Sequence, residues 1–473
     1  MNIKSYSHRN ALYMICTVWF FWGFVAASNG VFIPFCKSHF VLNQFQSQLI
    51  ELSFYGAYFI GSLILWIVSQ FVGVDIIDKI GHKNSIIVGL GISIAGALLL
   101  LPSVQIGSFS LILISFFVVA LGFSLQQVAS QPYIIALGPA QSGTHRINLA
   151  GAVNSTGTLL GPLVVSYILF GSATNSASTA SIQSINILYI MLALVFAGAI
   201  LLLWFSPLPK ITHEETFEKG LKALSYPQLI WGMFAIFMYV GVEVSIQSNM
   251  GELLRQPQFG GYSTSQISNF ISLYWGSLMV GRMTASISLF NIKGMAKTIL
   301  TITIPFLSFG LIILVNIIKG NDVSDFLPYT LCILLLALAL LWTNDRPFMM
   351  LLIFSIAGCA AMTVGLATEG KIALYALISG GLCCSVMWPC IFPSSIAGLG
   401  KYANQGAAFL IMMILGGAIL PPLQGALSDT VGIHWSYIVP LLGFAYLVFF
   451  AIKVKSILSK QGLDFDNMQT SGH

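Results

Sequence analysis

The chain has 473 residues, of which 57% are hydrophobic and 7% carry a charge, whereas an average soluble domain has roughly a quarter charged residues. This composition, with a mean hydropathy of +0.88 and a formal net charge of +5, excludes a soluble enzyme, a disordered protein and a nucleic-acid binder. The seven cysteines and seven histidines show neither the spacing of a disulfide framework nor that of zinc ligands. We therefore expect no metal and no cofactor.

The chain contains fourteen apolar stretches that we predict to cross a bilayer, which takes about 20 residues of α-helix. The first stretch lacks a clear small-residue cleavage site and runs into the second, so no cleavable signal peptide is apparent. We predict an N-terminal six-helix bundle at 1–207, a cytoplasmic linker at 208–226, a C-terminal bundle at 227–455 and a cytoplasmic tail at 456–473. The predicted spans run over 11–35, 49–72, 84–102, 108–135, 148–170, 185–206, 228–253, 264–289, 297–318, 326–342, 347–367, 371–396, 407–427 and 435–454.

Lysine and arginine residues orient these spans, because cytoplasmic loops carry the excess of positive charge. With the N-terminus in the cytoplasm, 15 of the 20 basic residues fall on the cytoplasmic side and 4 on the outer side, while Arg282 lies inside a span. The even number of spans then places both termini in the cytoplasm.

The two halves carry a weak internal repeat. Gln131-Pro132 ends the fourth span, with Gly161-Pro162 in the fifth, and Trp388-Pro389 is followed at nearly the same spacing by Pro421-Pro422. The second half then has two spans too many. We assign the surplus to an extra helical hairpin at about 295–345, since 347–396 fits better as the pair that leads to Pro389.

In chain order, amides recur at similar depth in the first half: Asn29 in the first span, Gln126, Gln127 and Gln131 in the fourth, and Asn154 in the fifth. Amides in an apolar helix need partners, either on a neighbouring helix or in a hydroxyl-rich ligand. Gln127 and Gln131 are four residues apart and point the same way. We favour a cavity that faces a ligand.

Two further features of the first half involve charge. Glu51 begins the second span near the outer interface, where a carboxylate can stay hydrated, and a functional role is the less favoured interpretation there. Asp78-Lys-Ile-Gly-His-Lys83 joins the second and third spans. Its glycine, Gly81, permits a tight turn, and its carboxylate can cap a helix. We predict a cytoplasmic gate made of Asp78, Gly81, Lys83 and Arg282.

Glu243 lies in the middle of the first span of the second half, where an ionisable side chain is costly and points to function. Gln247 shares its helical face, and Asn249 follows. Low-dielectric surroundings favour a neutral carboxyl, which would let Glu243 take and release a proton. The alternative is a structural carboxylate paired with Arg282 or with a hydroxyl.

Amides together with aromatic rings suit a neutral sugar, because amides both donate to and accept from hydroxyls, and ring faces cover the apolar side of a pyranose. An anionic substrate would require a basic side chain at mid-membrane. The candidate is Arg282, which we place towards the cytoplasmic end of its span, so an anionic substrate is disfavoured. The predicted substrate-binding residues are Asn29, Gln126, Gln127, Gln131, Asn154, Gln247, Asn249, Tyr274 and Trp388.

The D-x-x-G-x-[RK] loop, the six-helix halves and the linker resemble the major facilitator superfamily. More specific stretches resemble its fucose:proton symporter branch, which includes glucose/galactose and N-acetylglucosamine transporters. These stretches include Ser28-Asn29-Gly-Val-Phe-Ile-Pro34, Gln127-Val-Ala-Ser-Gln-Pro132, Asn154-Ser-Thr-Gly157 and Tyr239-Val-Gly-Val-Glu243. The resemblance implies an all-α membrane protein with two six-helix bundles, here with the extra hairpin, giving about 14 transmembrane helices.

Two positions depart from the fucose type. Gly30 stands where that pattern has an Asp that is a proposed proton carrier, and Gln127 stands where it has a Glu. The glucose/galactose members resemble this chain in having Gln in the fourth helix and Glu in the seventh. The resemblance therefore leaves Glu243, or a cation site not visible in the sequence, to couple transport, and it favours a glucose-like hexose or an N-acetylhexosamine as substrate.

Our leading hypothesis is a secondary active sugar importer, coupled to a proton or to sodium through Glu243. The alternatives are an uncoupled facilitator, a transporter of another small solute such as a lipid or drug, and a receptor or membrane-embedded enzyme. We expect a monomer that spans the bacterial cytoplasmic (inner) membrane several times and binds no nucleic acid.

Overall fold

The structure is a computed structural model that describes residues 3–40, 44–138, 142–170, 182–206, 208–209, 219–262, 264–290, 292–318, 320 and 322–463. Regular structure in these ranges is helical throughout, without a strand. Apolar helices suit a bilayer because each satisfies its backbone hydrogen bonds internally.

The first half of the chain forms six long helices and one short one. The short helix begins where the Asp75 carboxylate accepts from the backbone N–H groups of Ile77 (2.8 Å) and Asp78 (3.1 Å), and it ends at Gly81, whose φ is +87°. The helices are α1 (Ile3–His39), α2 (Gln44–Val72), α3 (Ile76–Ile80), α4 (His82–Ile106), α5 (Phe109–Ala136), α6 (Gly143–Phe170) and α7 (Ile182–Phe205).

The second half forms eight helical segments, two of which are interrupted. One is broken around Ser379 and again at Ser385–Val386, and the other passes through a short 3₁₀ turn at Met413–Leu415. The helices are α8 (Pro227–Arg255), α9 (Thr264–Ala285), α10 (Gly294–Ile318), α11 (Thr330–Thr343), α12 (Pro347–Ala367), α13 (Gly370–Ile378), α14 (Gly380–Cys384), α15 (Met387–Ile396), α16 (Ala403–Met412), α17 (Gly416–Val431) and α18 (Ile438–Lys460).

Each of the fourteen predicted spans falls on one helical segment of the described chain. By length and composition, twelve helices of these ranges can cross a membrane. The two other long helices, α6 and α9, carry more polar side chains and pack against each other where the halves meet. The predicted all-helical membrane architecture is confirmed.

The packing within each half shows where the additional pair lies. In the first half α4 packs against α5 and α7, and in the second half α12 packs against α13 and α18. Since α12 takes the place that α4 has in the first half, α10 and α11 remain as an additional pair, which packs on α9 and α12. The predicted hairpin covers these two helices.

The two halves also meet at the end of the bundle where α7 connects to α8, which we call the linker end; the opposite end is the far end. Asn404 donates to the Asp78 carboxylate across the halves (3.1 Å). The backbone of Gly220 donates to Gln70 (2.5 Å) and accepts from Gln405 (2.8 Å), so it bridges α2 and α16. These bonds hold the linker end together.

Candidate functional site

A cavity of about 140 Å³ lies between the two halves, and helices of both halves line it. On α1 the lining residues are Trp19, Trp22, Gly23 and Ala26, whose spacing is that of a single helical face. The same periodicity recurs on α6, where the lining residues are Ile147, Gly151, Asn154 and Thr158. Each helix therefore presents one stripe of side chains to a shared space.

Three of the predicted amides reach this cavity. Gln127 Nε2 lies 3.4 Å from the Tyr58 hydroxyl of α2, and Asn154 Nδ2 donates to the Trp19 carbonyl (2.8 Å). Gln131 Oε1 lies 3.4 Å from Trp388 Nε1, a contact that crosses the halves. Gln131 and Trp388 are the residues that the repeat pairs with each other, and both precede a proline. Amides and indole rings thus form the wall of the cavity.

The charged centre of the cavity is the pair formed by Glu243 and Arg282. The Glu243 carboxylate lies 3.8 Å from the Arg282 guanidinium, and both side chains are largely buried. Tyr239 hydrogen-bonds to the carboxylate and accepts from the guanidinium (3.1 Å). Arg282 also donates to the Ser155 hydroxyl of the other half (2.8 Å) and to the Ser385 carbonyl (3.3 Å). The pair therefore connects the cavity to the contact between the halves.

Both interrupted segments of the second half reach the cavity close to their breaks. Trp388 and Pro389 follow the break before α15, and Ile414 lies in the 3₁₀ turn between α16 and α17. Discontinuous helices at mid-membrane are typical of transporter binding sites, because a broken helix frees backbone groups and permits a local change of direction.

The structure corrects several predicted substrate contacts. Gln126 does not line the cavity; it is buried against α4, where it accepts from Trp22 Nε1 (2.7 Å) and donates to the Ser93 hydroxyl (3.2 Å). Tyr274 is also buried and donates to the Glu243 backbone carbonyl (2.8 Å), whereas its neighbour Trp275 lines the cavity. Consecutive residues of a helix point about 100° apart. Trp275 therefore lines the cavity where Tyr274 was expected to do so.

Two other predicted residues, Gln247 and Asn249, do not line the cavity. Both lie on α8 on the far-end side of Glu243. Asn249 donates to the Ser245 carbonyl (3.2 Å) of its own helix. The side chain of Asn29 lies outside the described residues.

The predicted gate residues separate into two places. Asp78 bonds across the halves at the linker end, and Gly81 makes the turn beside it. Lys83 donates to the carbonyls of Trp204 and Ser206 (both 2.9 Å), so it stabilises the C-terminal end of α7 within its own half. Arg282 is not at this end but in the central cavity, because α9 packs between α6 and α8 and directs the guanidinium at Glu243.

Sequence reasoning missed several cavity residues, among them Trp19, Tyr55, Tyr58 and Tyr239. A signal for them was present, since Trp19 lies three residues before Trp22, and Tyr55 and Tyr58 share a face of α2. Aromatic residues are common in apolar spans, however, so their type does not distinguish a cavity wall from lipid contact.

The site offers amide, phenol and indole groups for hydrogen bonding, aromatic faces for the apolar side of a ligand, and one ion pair whose charges cancel. This combination suits a neutral, hydroxyl-rich molecule. Within the described ranges, no group of three or more His, Cys, Asp and Glu side chains is placed to hold a metal ion.

Residues 14–344 match the Major Facilitator Superfamily. The chain is 30% identical to the glucose/galactose transporter of Brucella abortus over 96% of each chain. It is 29% identical to the putative glucose/galactose transporter of Helicobacter pylori, covering 95% of this chain and 98% of that protein. Identity to the L-fucose-proton symporter of Escherichia coli is 26%, with 95% and 94% covered.

Among solved structures, the outward conformation of the transporter FucP superposes with a TM-score of 0.72 at 21% identity, over 95% of this chain and 99% of that one. The human organic anion transporter MFSD10 superposes with a TM-score of 0.60 at 12% identity. At these identities the structures show a shared fold.

Proposed function

The chain belongs to the major facilitator superfamily, a family of transporters and not of enzymes, and on that premise we propose that it is a sugar transporter. We infer that it imports a hexose or an N-acetylhexosamine by alternating access, coupled to a proton or to sodium. The observation that carries this proposal is the cavity between the halves, with its amide and indole wall and its central ion pair.

Alternating access needs a site that both halves share and contacts that can break at one end at a time. The Gln131–Trp388 contact joins the halves within the cavity, and the Asp78–Asn404 bond joins them at the linker end. A sugar that bridges the amides of the first half and Trp388 of the second would favour closure of the halves around it. Opening towards the linker end would then require the bonds of that end to break.

The sugar class is supported by the wall chemistry and by the relatives. Gln127, Gln131 and Asn154 supply donors and acceptors for hydroxyls, and Trp19, Trp22, Trp275 and Trp388 supply ring faces. The relatives named as glucose/galactose transporters cover nearly the whole chain. The wall chemistry favours a neutral sugar, and the higher identity to a glucose/galactose transporter (30%) than to an L-fucose-proton symporter (26%) favours a glucose-like hexose over fucose.

For the coupling step we propose Glu243 as the group that takes up the cation. Protonation of its carboxyl would remove the charge that faces Arg282 and leave the guanidinium held by Tyr239, Ser155 and Ser385. Because Ser155 belongs to the other half, a change at Glu243 would act directly on the contact between the halves. We place the protein in the bacterial inner membrane as a monomer with both termini in the cytoplasm.

An uncoupled facilitator is the second candidate. The observation that favours it is the ion pair between Glu243 and Arg282. A carboxylate paired with an arginine can serve to stabilise the structure alone, without taking up a coupling ion. A facilitator equilibrates a sugar across the membrane but does not accumulate it.

The experiment that tests both is uptake of radiolabelled sugars into proteoliposomes. The panel contains glucose, galactose, fucose, mannose and N-acetylglucosamine, each with an imposed proton gradient, a sodium gradient or none. Accumulation under one gradient supports the coupled transporter and identifies its ion. Equilibration that ignores the gradients supports the facilitator, and no uptake of any sugar refutes the sugar proposal.

A further inference from the structure

A second carboxylate approaches the cavity from the far end on α2. Glu51 precedes Tyr55 by four residues and Tyr58 by seven, so the three side chains lie on one face of the helix. Both tyrosines line the cavity, and their rings stack with centroids 6.4 Å apart. Glu51 thus extends the polar face of α2 by one turn beyond the cavity wall.

Glu51 lies between the far end and the cavity. Seven residues separate it from Gln44, where α2 begins, which at about 1.5 Å per residue places it about 10 Å into the helix. Its side chain is half-buried. The helices that pack against α2 carry few other ionisable groups at this depth: α5 and α16 have none there, α1 has the buried Cys36, and Asp429 of α17 is exposed. The side chains of Lys37 and His39, which follow Cys36 on α1, lie outside the described residues.

Tyr55 stands one helical turn from Glu51 on α2 and lines the same cavity as Glu243, which belongs to the other half of the molecule. The ring sits where the halves touch, since a Cβ at Gly417 of α17 would be 3.5 Å from it. A phenol hydroxyl that reaches two carboxyl groups in turn can pass a proton from one to the other, so that no net charge has to cross the apolar protein interior.

We propose that Glu51 receives the coupling proton on the far side and that Tyr55 passes it to Glu243. The Glu51 carboxyl gives its proton to the Tyr55 oxygen while the phenol's own proton moves to the Glu243 carboxylate. Glu51 is left as a carboxylate, Tyr55 is again neutral, and Glu243 is protonated. This step rests on the proposed function, because it requires that the coupling ion is a proton.

The test compares wild-type protein with Glu51→Gln and Tyr55→Phe in proteoliposomes, using the sugar that the panel identifies. Two rates are measured: accumulation driven by a proton gradient across a range of external pH, and exchange of sugar with no gradient. Glu252→Gln is the matched control, since Glu252 is an exposed carboxylate 3.5 Å from Arg255 on α8 and outside the cavity.

We expect Glu51→Gln to lower proton-driven accumulation at least about tenfold, a loss that corresponds to about 1.4 kcal/mol. Exchange should stay within about twofold of wild type, and the pH dependence of accumulation should flatten. Tyr55→Phe should lower proton-driven accumulation in the same direction, and Glu252→Gln, outside the cavity, should change neither rate.

The outcomes separate the two proposals. Wild-type protein that accumulates no sugar under a proton gradient refutes proton coupling itself, and with it this path. Wild-type accumulation and an unchanged pH profile in Glu51→Gln refute the role of Glu51 while the proposed function stands. Equal loss of accumulation and exchange in Glu51→Gln also overturns the proposal, because it shows a structural or sugar-binding role.

Discussion

Replacing Glu243 with glutamine keeps the shape of the side chain but removes the charge that faces Arg282. Arg282 is 8% exposed and cannot lose its proton, so its guanidinium stays charged in the cavity. Breaking a buried ion pair by removing one partner costs about 3–5 kcal/mol. The pair is 3.8 Å apart and opens onto a cavity, and Arg282 keeps three other acceptors. We therefore expect the lower end, about 3 kcal/mol.

The expected result has two parts that are measured separately. Thermal unfolding of the purified variant in detergent should show a Tm several degrees below that of the wild type. In proteoliposomes, Glu243→Gln should abolish accumulation against a sugar gradient and retain exchange of sugar, because the amides of the cavity wall are untouched.

A double variant isolates the pair from the single residues. Glu243→Gln combined with Arg282→Gln removes the unpaired charge, so its loss of stability should be smaller than the sum of the two single losses by about 1–3 kcal/mol. Uphill accumulation at the wild-type rate in Glu243→Gln would refute the coupling role. Additive stability losses would refute the view that the two charges stabilise each other.

Three further predictions follow from the packing and the hydrogen bonds. Gln126→Ala should lower the free energy of unfolding by about 1–3 kcal/mol with little effect on sugar affinity. Gln127→Ala should weaken sugar binding with little effect on Tm. Unfolding curves measure the stability of both variants, and calorimetry measures their sugar affinity. Gly157→Ala should destabilise the protein, since its Cβ would lie 2.2 Å from a carbonyl oxygen of α1, whereas Gly91→Ala on the open face of α4 should leave it equal or about 0.5–1 kcal/mol more stable. Asp78→Ala removes the acceptor of a charged hydrogen bond across the halves and should favour opening at the linker end by about 1.5–3 kcal/mol, which spin-label distances across that end would detect.

The amide spacing on α5 shows how far a pattern along one helix reaches. The four-residue spacing of Gln127 and Gln131 predicted a shared face, and both side chains line the cavity. The same pattern could not exclude Gln126 from the cavity wall. Gln126 is adjacent to Gln127 in the chain and therefore points in another direction, towards Ser93 on α4. A sequence gives the angle between side chains of one helix, but the direction of the cavity depends on the neighbouring helices.

Arg282 shows the same limit for depth along the chain. Counting residues from the end of its span placed it with Asp78 and Lys83, whereas the structure places it beside Glu243. An arginine side chain is long, and its guanidinium lies where it finds a carboxylate and three hydrogen-bond acceptors. The pairing of Arg282 with Glu243 was an alternative that the sequence did allow.

The sequence by itself determined the features that a bilayer requires of each helix separately. Apolar length, turn residues and the distribution of basic side chains act along a single segment, so they fixed the helical class, the succession of spans and the isolated carboxylate at Glu243. What only the tertiary structure decided depends on how faces of different helices meet. The Gln131–Trp388 contact and the Glu243–Arg282 pair join residues far apart in the chain, and the cavity brings Tyr55 of one half together with Glu243 of the other. Packing sets such contacts by the complementarity of two surfaces, and a one-dimensional pattern describes only one of them at a time.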